Sequence, residues 1–218
     1  MKDIVSEPLI FMPVERKDGT YALRLCLNQG LLTPGMTRSI MEIMESYPGI
    51  TLRATTGQRM NLEGIPKDKL DDVVSTLGTS IPMCPPGVSV CPGSELCKYG
   101  RQKTREIGDR LLELIKANGP YPFKVKSGIS GCGMACGLSF VRDIGLVGLA
   151  KGWNVHFGGS ARHRAAPGLC LAKSVSDDEA LAIVKKALIY YRDTARKGER
   201  MGMLVRRLGH EVVADALK

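Results

Sequence analysis

ITLRATTGQRMNLEGIPKDKLDDVVSTL, residues 50–77, changes its period twice. Residues 50–54 read as a strand, Thr56-Gly57 supply a turn, and residues 59–63 read as a second strand. Pro66 then opens a helix running to about Leu77, with Leu70, Val73, Val74 and Leu77 on one face. Upstream, residues 21–26, YALRLC, alternate as a strand does. Thr33-Pro34 open a helix whose apolar stripe is Ile40, Ile43, Met44 and Tyr47, and Pro48-Gly49 stop it. The order β-α-β-β-α, spread over about 80 residues, is that of a ferredoxin-like half-unit.

Downstream, TSIPMCPPGVSVCPG at 79–93 holds four prolines and two glycines and reads as a boundary. Domains are expected at 1–80 and 81–218. A helix is expected from Ser94 to Ala117, with Ile107, Leu111, Leu114 and Ile115 on its buried side. Strands are expected at 123–129, 140–148 and 153–157. The Gly/Cys-rich SGCGMACG follows the first of these, and the basic loop GGSARHRAAPG follows the last. Ser176 and Glu179 form a capping box for a helix at 177–194, striped by Leu181, Val184, Leu188 and Tyr191. A last helical region, 199–217, breaks near Gly209. The class is mixed α+β.

Of 218 residues, 44% are apolar and 24% charged, which describes a globular protein and not a disordered one. No uncharged stretch approaches the length of a membrane-spanning helix. The start, MKDIVSEPLIFM, carries Asp3 and Glu7 and lacks an apolar signal core. The expected location is therefore cytoplasmic. Lys and Arg exceed Asp and Glu by 31 to 22, a net charge of +9. That excess suits nucleic acid, anionic membranes or small anions. Aromatic residues are only 5%, so stacking platforms for single-stranded nucleic acid are scarce.

Seven cysteines in a reducing compartment argue against a disulfide framework. Four form two pairs: Cys91 and Cys97 with five residues between, and Cys132 and Cys136 with three. Glycine and proline surround both pairs, which lets backbone close around a bulky ligand. Four thiolates suit a [4Fe–4S] cluster. A structural zinc site fits the five-residue gap poorly. Cys26, Cys84 and Cys170 have no such partners and read as small buried residues.

Cys-x5-Cys followed by Cys-x3-Cys resembles the signature of sirohaem-dependent nitrite and sulfite reductases. Arg53-Ala54-Thr55-Thr56-Gly57-Gln58 with Glu63-Gly64-Ile65 resembles the Arg-x-Thr-x-Arg-Gln…Gly-Ile motif of the family's ferredoxin-like half-domain. Phe123-Lys124-Val125-Lys126 resembles its paired substrate lysines, and Arg142-Asp143-Ile144-Gly145 and Phe157-Gly158-Gly159 resemble its later strands. The size and single-copy layout resemble the small assimilatory-type sulfite reductases of sulfate-reducing bacteria. The resemblance implies a ferredoxin-like half-domain followed by a sirohaem- and [4Fe–4S]-binding α+β domain. Metal ligands would be Cys91, Cys97, Cys132 and Cys136, with Cys136 the thiolate shared with sirohaem iron. Arg53, Lys124 and Lys126 would be the substrate residues. The two lysines alternate along one strand, so they share a face. Arg59, Lys98, Arg101, Arg162, His163 and Arg164 would meet sirohaem carboxylates, or else form ordinary solvated charge.

Two positions depart from the family pattern. Gly57 stands where the motif has its second arginine, and Gly87 where a further substrate arginine is expected. Arg59 is the candidate replacement. Family enzymes usually join two related halves; this chain has one copy, so a homodimer is expected, with a monomer as the rival. The resemblance implies reduction of sulfite to sulfide, with electrons from a low-potential donor such as ferredoxin or flavodoxin. Nitrite reduction is the alternative; nitrite enzymes of the family tend to carry Asn at the second lysine position. A non-catalytic Fe–S or sirohaem electron carrier and a zinc-stabilised nucleic-acid-binding module are alternatives of other classes. Neither nucleic acid nor membrane is an expected partner.

Overall fold

A computed structural model describes residues 7–218. The expectation about a signal at the extreme N-terminus falls largely on residues 1–6, outside that range. The chain divides after Pro85 into two compact units, and the class is α+β.

The first unit contains β1 (Leu9–Glu15), β2 (Tyr21–Leu25), α1 (Pro34–Ser46), β3 (Thr51–Ala54), β4 (Met60–Ile65), α2 (Leu70–Leu77) and β5 (Gly78–Ser80). Its sheet has the order β3-β4-β2-β1-β5, antiparallel except for the β1–β5 pair. Thr33 caps α1, its hydroxyl accepting from the Met36 N–H at 3.1 Å, with Pro34 next in line as expected. Ile40 and Ile43 from α1 and Val73 and Leu77 from α2 share a core with Phe11, Leu23, Leu62 and Ile65 of the sheet. Full burial of each such side chain contributes about 1.5–3 kcal/mol.

Two strands of this unit carry weak sequence signals. β1 contains Pro13, which ordinarily argues against a strand. Here β5 pairs only with Leu9–Phe11, so Pro13 lies beyond the ladder on that side. β1 also explains a correction. Cys26 and Cys84 are joined by a disulfide, with Cα atoms 5.6 Å apart. They are not isolated thiols. Fifty-eight positions separate them, so no local spacing betrays the pair. β1 lies between β2 and β5, and its Ile10 and Phe11 carbonyls accept from the Cys26 and Ile81 N–H groups.

The second unit contains β6 (Gly87–Val90), α3 (Gly93–Leu96), α4 (Arg105–Asn118), β7 (Lys126–Ser130), β8 (Ile144–Leu149), β9 (Gly152–Phe157), β10 (Leu169–Val175), α5 (Asp177–Thr194), α6 (Met201–Leu208) and α7 (His210–Leu217). Its sheet has the order β10-β9-β8-β7-β6, with β6, β7 and β8 parallel. Ile107, Leu111 and Ile115 of α4 and Leu181, Val184, Leu188 and Tyr191 of α5 share its core with Trp153 and Phe157. The capping box at Ser176 is formed, both halves of it.

The helix expected from Ser94 to Ala117 is broken between Leu96 and Arg105. Backbone donors there are used between loops: the Arg101 and Gln102 N–H groups both reach the Gly131 carbonyl, and the Ser94 N–H reaches Gln102. The Glu95 carboxylate accepts from the Thr104 N–H as the chain re-enters helix. The strand expected at 140–148 begins only at Ile144, after a short 3-10 turn at Ser139–Val141. β10, with two irregularities in its pairing to β9, had no clean alternation to reveal it.

Candidate functional site

The four paired cysteines come from two loops at one edge of the second sheet, and among the described residues no three His, Cys, Asp or Glu side chains converge as a metal-holding group. Cys91 follows β6, Cys97 ends α3, and Cys132 and Cys136 follow β7. β6 and β7 are parallel neighbours with Val90 beside Ile129, so both loops leave from carboxyl ends of adjacent strands. Open sheets bind their ligands at that edge. The loops touch through backbone. A Cβ on Gly131 would stand 2.8 Å from both the Gly93 Cα and the Gln102 carbonyl oxygen, so only glycine allows the approach. The Gly131 N–H donates to Cys91 Sγ at 3.1 Å, the type of contact that tunes a ligating thiolate. Ala135 (φ 52°) and Leu138 (φ 61°) are left-handed without being glycine, and they bracket Cys136. Strain of this kind points to a functional loop. Leu96, Tyr99, Met134 and Leu138 of the same two loops expose large apolar surfaces.

A cleft of about 370 Å³ lies in the same unit. Lys126, Arg142, Arg162, Arg200 and Arg206 line it, against one carboxylate, Asp143. Burial pushes the Lys126 ammonium below its ordinary range; Arg200 and Arg142 push the same way, and Asp143 opposes. Asp143 is buried and ion-paired to Arg200, whose guanidinium also lies 5.6 Å from the Phe123 ring centroid. Such a cleft attracts a small oxyanion or a carboxylate.

Arg200 is held from behind. Glu199, buried, takes a bidentate pair from Arg207, both bonds at 2.8 Å, and the Arg196 N–H at 2.9 Å. Arg207 holds the Glu199 carboxyl down at about 2. A depressed folded-state value contributes stability above the ordinary carboxylate range that is lost as pH falls from about 4.5 towards 2. Glu199→Gln is therefore expected to cost up to roughly 3 kcal/mol at pH 7. Urea denaturation of both proteins at pH 7 and pH 2.5 checks this: the difference between them should be largest at pH 7 and shrink at pH 2.5. A constant difference would show that the ion pair does not carry the effect.

The other expected residues are placed as follows. β7 starts at Lys126, so Lys124 precedes the strand, and the alternation expected to put both lysines on one face does not reach it; both are exposed, on either side of buried Val125. Lys126 lines the cleft. Arg162 lines it too, from a loop closed by the Ser160–Ala166 bridge that also holds His163 and Arg164. Lys98 lies over the Tyr99 ring at 4.9 Å, and Arg101 is exposed in the cysteine loop. In the first unit, Arg53 is exposed and its Nε donates to Glu63 at 2.6 Å, a carboxylate it shares with Arg16. Arg59 is different. Its Nη2 donates to the Pro85 carbonyl, while its buried Nη1 has no hydrogen-bond partner. Burial, and then Arg24, push the guanidinium below its ordinary value. A half-buried cation beside another cation is a favourable place for an anionic group.

Arg142, Asp143, Arg200 and Arg206 were not singled out from sequence as site residues. Arg200 did offer a signal. It stands at the start of α6, where a cation opposes the helix dipole and no acidic residue follows in the first turn. A cation in that position has a partner elsewhere, here Asp143.

Residues 84–218 match the nitrite and sulphite reductase 4Fe-4S domain, and residues 14–79 match the nitrite/sulfite reductase ferredoxin-like half domain. The chain is 34% identical over 208 residues to an assimilatory-type sulfite reductase of Nitratidesulfovibrio vulgaris, covering 94% of this chain and 95% of that one. It is 30% identical to the nitrite reductase [NAD(P)H] of Bacillus subtilis over 93% of this chain, which spans 26% of that protein. Among solved structures it superposes on Mycobacterium tuberculosis NirA with a TM-score of 0.76 at 22% identity, covering all of this chain and 42% of that one. No helix among the described residues is long and apolar enough to cross a membrane.

Proposed function

The chain belongs to the nitrite and sulphite reductase family, and from that premise we propose that it is an assimilatory-type sulfite reductase, taking sulfite to sulfide in a six-electron reaction. The observation that supports this best is the cationic cleft around Lys126, in the same unit as the two loops that carry Cys91, Cys97, Cys132 and Cys136. Cys91, Cys97, Cys132 and Cys136 would hold a [4Fe–4S] cluster, with Cys136 shared with the iron of sirohaem. Arg59, Lys98, Arg101, Arg162 and Arg164 would meet the macrocycle's carboxylates, and the buried unpartnered Nη1 of Arg59 suits that task. Bound there, the cluster and the macrocycle would supply the electrons and the iron at which the oxyanion is reduced.

The chain's own residues do the rest. Lys126 and Arg200 draw the oxyanion into the cleft and neutralise it. Lys126 Nζ carries the proton that a departing oxygen needs, and its lowered affinity for that proton makes it the better donor near neutral pH. Lys124, exposed just before β7, is proposed as the second substrate lysine. Arg53 meets Glu63 through Nε, so its Nη groups are the ones proposed to contact substrate. A net charge of +9 would steer an acidic ferredoxin or flavodoxin to the surface. The cytoplasm is the proposed compartment; the Cys26–Cys84 disulfide runs against that reading, since such bonds are rare in reducing compartments.

Nitrite is the second reading, favoured by the likeness to nitrite reductases. Steady-state assays with a reduced viologen dye, scoring sulfide and ammonium, separate the two. Sulfide formation with the higher kcat/KM for sulfite is expected. Ammonium from nitrite with sulfite inert would overturn the substrate assignment.

A further inference from the structure

Asp143 touches Lys126 in two ways. Its Oδ2 accepts from the Lys126 backbone N–H at 2.8 Å, and its own N–H donates to the Lys126 carbonyl at 2.9 Å. The same Oδ2 takes the guanidinium of Arg200. These contacts stand at the first residue of β7, so they fix where the strand begins and where the Lys126 side chain emerges. Asp143 is itself pinned, its carbonyl accepting from the Gly158 N–H at 2.7 Å. The chain of contacts runs Arg207, Glu199, Arg200, Asp143, Lys126, and joins α6 to β7 without passing through any proposed cofactor ligand.

We infer that Asp143 is a positioning residue for oxyanion reduction, acting through Lys126 and Arg200. It sets both the place of Lys126 and the net charge that Lys126 feels. This rests on the reading of Lys126 as the substrate lysine. The charged groups facing Lys126 are Asp143, Arg142, Arg200, Arg162 and Arg206, and Asp143 alone among them is negative. Asparagine at 143 can still accept the Lys126 N–H, but it leaves Arg200 uncompensated. The lysine then gives up its proton more readily. Removing Arg200 has the opposite sign, because the Asp143 charge then acts on Lys126 alone.

The test is trace labelling of the purified holoenzyme with acetic anhydride across pH, reading Lys126 and the distant Lys151 by peptide mass spectrometry. In Asp143→Asn the Lys126 titration should move to lower pH, raising its relative reactivity at pH 8 by roughly three- to tenfold. Asp143→Glu should restore most of the native profile. Arg200→Gln should move the titration to higher pH, and it carries the test if Asp143→Asn does not fold. Lys151 should not move in any variant. In turnover, Asp143→Asn should lower kcat more than it raises KM. A Lys126 profile unchanged in the folded variants overturns the inference, whatever the substrate. A wild-type enzyme that neither binds nor reduces sulfite would overturn the proposed function instead, and the labelling would still read the coupling.

Discussion

Replacing Cys136 by serine is expected to leave a folded, nearly colourless protein without sulfite reductase activity. The wild type should carry about five irons per chain, four in the cluster and one in the macrocycle. Cys136 is the residue proposed to serve both, so its loss should remove most of that iron and lower kcat by at least about 10³-fold. The fold should survive, because the thiol is exposed and is not part of the unit's hydrophobic core. Cys170→Ser is the matched control: its thiol is also exposed, on β10, away from the two loops. It should keep full iron and activity. Iron and sulfide analysis with far-ultraviolet circular dichroism reads both variants. Equal iron loss in both would mean that serine disturbs the unit generally. Full iron in Cys136→Ser would remove that residue from the ligand set.

Lys126→Ala is expected to lower kcat/KM for sulfite by about 10²–10⁴-fold with the cofactors retained. Two contributions disappear together: charge against the oxyanion and a proton at Nζ. Lys126→Arg separates them. Arginine restores charge but does not release a proton in this range, so KM should recover while kcat stays low. The optical spectrum should be unchanged in both variants, since Lys126 is outside the proposed ligand set. A wild-type kcat in Lys126→Arg would mean that Lys126 binds and does not deliver protons.

The sequence revealed what local periodicity and spacing can encode. The helix at 34–46, the strands flanking Thr56-Gly57 and the helix capped by Ser176 each carry their own apolar face and end signals. The cysteine pairs were visible because each spans only a few residues. Features made by distant segments were not. β1 and β5 show little by themselves, and the disulfide depends on both. The break between Leu96 and Arg105 exists because backbone N–H groups there serve Gly131, some thirty positions away. The cleft had the same character: Lys126 was singled out, but Arg200 and Arg206 come from α6, and only the folded chain puts them beside it. Arg53 was expected as a substrate residue from its motif, while its engagement with Glu63 appears only once β3 and β4 pair.

The measurement that bears most directly on the whole account is the visible spectrum of the purified protein, oxidised and then reduced, with and without sulfite. Isobacteriochlorin bands that shift when sulfite is added are the predicted result, since they require the macrocycle and an open iron position together. Macrocycle bands indifferent to sulfite would contradict the substrate reading. A colourless protein, still colourless after anaerobic loading with iron and sirohaem, would contradict the cofactor assignment on which the rest stands.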